Sequence, residues 1–77
     1  MTPEITVEQR RKYREIDTRN LRAIFIANPR GEMRRIFPKA ARQGIGARSV
    51  SEIVVCLIHV GELKVDTDSG RYEWIGN

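Results

Sequence analysis

Residues 38–53 read PKAARQGIGARSVSEI, and the path of the chain through them decides the fold. Proline is accepted in the first turn of a helix, where its missing N–H costs no bond. Pro38-Lys39-Ala40-Ala41-Arg42-Gln43 therefore reads as a short helix starting afresh, or as a kinked continuation of what precedes it. Gly44-Ile45-Gly46 has to turn. Ser49-x-x-Glu52 has the pattern of a capping box, and Ile53-Val54-Val55-Cys56-Leu57-Ile58-His59-Val60 follows it directly. These residues favour β structure by propensity. The cap, the length and the Gly61 terminator favour a buried helix instead, with Val50, Ile53, Val54, Leu57 and Ile58 inward; an interior strand is the rival.

Upstream, Thr6-x-x-Gln9 is a second capping-box pattern, and it opens a charged helix over 6–16 whose apolar residues are Val7, Tyr13 and Ile16. That segment reads equally as a basic arm lying along phosphates or as a surface helix packed by Tyr13 and Ile16. Asp17 or Thr18 then caps another helix running to about Ala27, with Leu21, Ile24 and Phe25 on one face. Asn28-Pro29-Arg30-Gly31 stops it. Glu32 to Phe37 is ambiguous, although Met33, Ile36 and Phe37 fit a helical face. Downstream, Leu63-Lys64-Val65 and Tyr72-Glu73-Trp74-Ile75 flank Asp66-Thr67-Asp68-Ser69-Gly70, which predicts a hairpin. An isolated hairpin is marginal in water, so this one must pack on the preceding helix, with Tyr72 and Trp74 covering the core.

The whole chain has 77 residues, 40% of them hydrophobic. At this length a fold buries only ~60–65% of its unfolded surface, too little for a large cleft with a catalytic constellation, so an enzyme is not expected. A single cysteine, Cys56, excludes an internal disulfide and a Cys-rich zinc site and fits a reducing compartment. No apolar run approaches the ~20 residues of a membrane span. The first residues lack the basic-then-apolar layout of a secretory signal, so a cytoplasmic location is expected. The net charge is +4, unevenly spread: residues 1–48 hold twelve basic and five acidic residues, and 49–77 hold two and five. The first part is thus +7 and the second −3. A basic half points to a polyanion such as nucleic acid, set against a surface that merely keeps the chain soluble.

Three helices, a tight glycine turn before the last, and a two-stranded hairpin resemble a winged helix-turn-helix domain. The likeness covers about residues 18–75 and centres on Ala40, Gly44 and Val50, with Ile53 next inward. A small side chain lets two helices cross closely, glycine takes the left-handed turn, and Val50 and Ile53 fill the crossing. HVGELKVDTDSGRYEWI is similar to the family's run from recognition helix through wing. Lys39 and Gln43 stand where the family usually carries apolar residues. The expected fold is α+β, a small winged helix-turn-helix of three to four helices plus a C-terminal β-hairpin wing, with 1–17 a basic N-terminal helix or arm and 18–77 the domain.

The resemblance implies a transcriptional regulator that binds double-stranded DNA, its second motif helix in the major groove. Base contacts then fall to Arg48, Ser51, Glu52 and Val55: Arg48 to a guanine, Ser51 to base or phosphate, Glu52 to a cytosine unless it completes the cap, Val55 to a thymine methyl. Phosphate contacts fall to Arg30, Arg34, Arg35, Lys39, Arg42, Lys64 and Arg71. Many such domains dimerise on paired half-sites, so a homodimer is a further expectation. Against a DNA role, the wing tip carries Asp66 and Asp68, which repel phosphate. The alternative is a winged-helix interaction module, an inhibitor or adaptor that would suit a phage or mobile element, holding a host protein through its acidic wing and Val55 and Cys56. No cofactor or metal is implied. Asp66-x-Asp68-x-Gly70 fails the EF-hand pattern at Gly70 and reads as turn chemistry. Gly44-x-Gly46 is too short for a phosphate loop. His59 and Cys56 each lack the partners that catalysis or metal binding needs, and Cys56 is expected in packing, buried or against a partner.

Overall fold

Residues 7–76 are described by a computed structural model. Seven elements follow in order: α1 (Val7–Ala27), β1 (Arg30–Glu32), a single 3₁₀ turn (Met33–Arg35), α2 (Ile36–Ala41), α3 (Ala47–His59), β2 (Leu63–Asp66) and β3 (Arg71–Trp74). Together they form a small α+β domain of three α-helices and a three-stranded antiparallel sheet in the order β1-β3-β2.

Two helices were expected before Asn28; there is one. α1 runs 21 residues without a break, straight through the 17/18 boundary proposed from sequence. No Pro or Gly interrupts 7–27. Neither Asp17 nor Thr18 caps anything: both lie inside the helix, where the Thr18 hydroxyl donates to the Arg14 carbonyl at 2.7 Å. Such back-bonding lets a cap-type residue sit mid-helix. The capping pattern at Thr6 lies outside the described residues. Tyr13 and Ile16, which pack this segment in one of the two readings, are 59% and 49% exposed. The apolar face that matters begins at Leu21 and continues through Ile24 and Phe25, all buried.

The stop at Asn28-Pro29 holds, but Arg30–Glu32 is a strand where a turn was expected. It pairs antiparallel with β3, Arg30 opposite Glu73 and Glu32 opposite Arg71. α2 begins at Ile36, so Pro38 falls in its first turn and does not start it. Gly44 turns the chain at φ +77°, the left-handed region that favours glycine. The Ile45 N–H then closes back on the Ala40 carbonyl at 3.0 Å, and the Ile45 side chain is buried.

The segment opening near Ser49 is a helix and not a strand. It starts three residues earlier than the capping box required: Gly46 is the N-cap and no side chain caps the end. Ser49 is inside the first turn, so the Ser49–Glu52 box does not form. Val50, Ile53 and Leu57 are buried, Val54 is half-buried, and Ile58, expected inward, is 43% exposed. Gly61 ends the run at φ +79°, and the Glu62 N–H reaches the Leu57 carbonyl at 2.9 Å. That is the usual way a C-terminal glycine satisfies the last carbonyls of a helix.

The hairpin pairs Leu63 with Trp74 and Val65 with Tyr72. Leu63 and Tyr72 join the core, and Val65 and Trp74 pack against its margin. Phe25 of α1 ties hairpin to helix: its ring meets Tyr72 edge-on at 5.0 Å and stacks on Trp74 at 5.9 Å. Buried Tyr72 donates its hydroxyl to the Asn28 carbonyl at 2.6 Å, which satisfies both groups. Burial raises the Tyr72 pKa, so it stays a donor. Ala40, wholly buried on α2, belongs to the same core as Val50 and Ile53 of α3, and α2 contacts both α1 and α3.

Candidate nucleic-acid interface

α3 buries Val50, Ile53 and Leu57, and the 3.6-residue period puts Arg48, Ser51, Glu52 and Val55 on the opposite face. All four are exposed; the Arg48 side chain is 94% so and Val55 66%. The four residues expected at the bases therefore share one convex face on one helix. They are not equally free. Glu52 is paired with the Arg14 guanidinium of α1, and Arg48 Nε lies 3.6 Å from its other oxygen. Sequence reading missed Arg14, and the 38-residue separation left no local signal by which to find it. A second tie of this kind joins Arg22 Nε and Nη2 to the Glu62 carboxylate, both at 2.9 Å.

The seven cations expected at phosphates line adjoining recesses that share residues: Arg30, Lys64 and Arg71 meet in one of them, beside Asp66 and Glu73. Arg30, Arg35, Lys39 and Arg71 line one open groove of about 340 Å³ with Asn28, Glu32 and Tyr72. Arg34 and Arg71 border a second recess beside Ser69 and Gly70 at the hairpin turn. Lys64 lies on β2, and Arg42 beside Lys39 next to α1. Several are already engaged. Lys39 Nζ donates to Asn28 Oδ1 at 2.8 Å, Arg34 Nε is 2.5 Å from Glu32, and Arg30 lies 3.5 Å from Glu73 across the β1–β3 pair. Arg35, Arg42, Lys64 and Arg71 are exposed and make no ion pair among the described residues. The exposed face of α3 lines none of these recesses.

The hairpin turn is built as its residues dictate. The Asp68 N–H donates to Asp66 Oδ1 at 2.9 Å, the Gly70 N–H to the Asp66 carbonyl at 2.8 Å, and Gly70 takes φ +71°. This is an Asx turn, as expected for Asp-x-Asp-x-Gly. The Asp68 N–H, then the hydroxyl and N–H of Ser69, hold the Asp66 carboxyl below its usual range, so the tip is anionic at neutral pH. Among the described residues no group of three metal-ligating side chains occurs. None of their helices is long and apolar enough to cross a membrane. Cys56, expected either buried or against a partner, is free and exposed, so it is not part of the core. His59 is exposed in the last turn of α3. Compared with protein-family models, with curated proteins and with solved structures, the chain matches none.

Proposed function

We propose that this chain is a non-enzymatic winged-helix protein that binds double-stranded DNA, with transcriptional regulation as its role. The observation that carries the reading is the exposed face of α3. Arg48, Ser51 and Val55 stand together on the helix that follows the Gly44 turn and the Ala40–Val50 crossing. That is the place of the recognition helix in a helix-turn-helix. In this reading Arg48 takes a guanine edge, Ser51 a base or phosphate, and Val55 a thymine methyl. Glu52 is expected at a cytosine only when Arg14 and Arg48 release it. Arg30, Arg34, Arg35, Lys39, Arg42, Lys64 and Arg71 supply phosphate contacts that position the protein without reading sequence. The test is fluorescence anisotropy with duplex DNA over a salt series. Each phosphate contact adds about 0.9 to the slope of log affinity against log salt. Absence of binding to any duplex at low salt refutes the reading.

A second reading is favoured by one feature. The hairpin tip is acidic, and α3 leaves Val55 and Cys56 exposed side by side. An interaction module would set that strip against a protein partner. A pull-down from lysate with and without nuclease separates the two readings. A partner retained after nuclease treatment, with no duplex binding, favours the module.

A further inference from the structure

We infer that the N-terminal half of α1 is a second phosphate-contacting surface, with Arg11 and Lys12 at its centre, so that a duplex on α3 is gripped from the α1 side more than by the hairpin. The inference rests on the DNA-binding reading of α3.

Three observations carry it. The first is position. Arg14 reaches Glu52 in the middle of α3, and Arg22 reaches Glu62 just beyond its end. Eight residues of α1 thus run alongside ten of the other segment in the same direction, about 12 Å of helix. The N-terminal half of α1 therefore lies beside the N-terminal half of α3, the end that would enter a groove. Arg11 is eleven residues, or three turns, before Arg22, so it stands on the same α3-facing edge one turn beyond Arg14. Lys12 follows about 100° further round, on the side turned away from α3, and widens the positive surface outward.

The second is exposure. From residue 11 to residue 20 no side chain of α1 is buried, and 11–16 are all exposed. A helix of 21 residues is about 32 Å long, and the domain measures 45 × 23 × 22 Å. The helix thus extends well past the core that starts at Leu21.

The third is charge. Residues 10–14 hold four cations and no acid, whereas the hairpin turn 66–70 holds Asp66 and Asp68 and no cation. Glu8 precedes this run on α1 and Glu15 and Asp17 follow it, so the positive charge is confined to residues 10–14. The hairpin and α1 flank α3 through β2 and through the two arginine ties, respectively. A polyanion laid over α3 meets cations on the α1 side and a fixed negative charge at the hairpin tip.

The test compares three full-length proteins on a mixed-sequence duplex over a salt series: wild type, Arg11→Ala/Lys12→Ala and Lys64→Ala/Arg71→Ala. Alanine is the best helix former, and circular dichroism checks that each variant is folded. Loss of two contacts lowers the salt slope by about 1.8. Between about 50 and 200 mM salt the wild type should then lose about twelvefold more affinity than Arg11→Ala/Lys12→Ala. Lys64 and Arg71 are phosphate contacts too, but Asp66 stands opposite Arg71 and two residues from Lys64 and weakens both, so Lys64→Ala/Arg71→Ala should lower the slope by less than about 1.8. An unchanged slope in Arg11→Ala/Lys12→Ala, with binding intact, overturns the inference and leaves the DNA reading standing. A larger loss from the hairpin pair overturns it as well. A wild type that binds no duplex removes both.

Discussion

Phe25→Ala should come close to unfolding the protein. The ring is fully buried, stacked on Trp74 and edge-on to Tyr72, and it is the aromatic link between α1 and the hairpin. Replacing a buried Phe by Ala costs about 3–5 kcal/mol, the sum of lost transfer free energy and the cavity left behind. Two aromatic neighbours place this site toward the upper end, because each such pair adds about 0.5–1.5 kcal/mol beyond its area. A 77-residue domain has about 4–12 kcal/mol of stability in total. The substitution therefore removes a third or more of the total and, at the lower bound, all of it. Phe25→Leu keeps most of the volume and should cost about 1–2 kcal/mol, leaving a folded protein. Urea titration followed by fluorescence gives both numbers, since Trp74 is the only tryptophan and sits against the mutated ring. A loss below about 1.5 kcal/mol for Phe25→Ala would mean that the hairpin does not depend on α1 for its packing.

Three further outcomes follow from particular atoms. Gly44→Ala forces a side chain into φ +77° with open space around it, so it should cost about 1–2 kcal/mol through backbone strain alone. Gly46 caps α3 with ordinary extended backbone, so Gly46→Ser should instead gain a few tenths of a kcal/mol as a true cap, roughly the Ser-over-Gly margin; denaturant midpoints for the pair test both. Arg48→Ala should weaken a selected DNA site more than random duplex, whereas Arg34→Ala should weaken both alike; equal losses in a competition assay would contradict the roles given to them. The Asp66 carboxyl is held below its unfolded pKa by the Asp68 N–H and Ser69. Its stabilisation is therefore present above the ordinary carboxylate range, near 4, and is lost as pH falls through the lower folded value. The melting temperature of Asp66→Ala should be below wild type at pH 7, and the gap should close at pH 2.

The elements that could be read from sequence were those whose signal is local. The length and the Gly61 terminator announced a helix despite β-favouring residues; the capping box that also argued for it does not form, and Gly46 caps the start. Leu63/Val65 and Tyr72/Trp74 announced the hairpin. β1 could not be read, because three residues carry no periodicity and Arg30–Glu32 is a strand only through β3, some forty residues on. The unbroken α1 was hidden by Asp17 and Thr18, which look like caps until the Thr18 hydroxyl is seen turned back on Arg14. The candidate site divided in the same way. The shared face of Arg48, Ser51, Glu52 and Val55 follows from helical geometry alone. The grouping of the seven phosphate candidates in adjoining recesses away from α3, and the capture of Glu52 by Arg14, depend on packing between distant segments.

That capture matters more for the charge of α3 than for stability. Arg14 and Glu52 are each a little under half exposed, and ion pairs at such sites contribute about 0–1 kcal/mol. The effect on the surface is larger. Left alone, Glu52 would cancel Arg48 and leave the exposed face of α3 without net charge, a poor surface for a polyanion. With Arg14 brought in from α1, the same cluster holds two cations to one anion. An exchange of partners is then open to the cluster: phosphate can take Arg14, or a base edge can take Arg48, while Glu52 retains the other arginine. In Glu52→Gln neither arginine is held by charge, so nonspecific affinity should rise while the preference for a selected site falls. If both instead fall together, Glu52 itself touches the DNA.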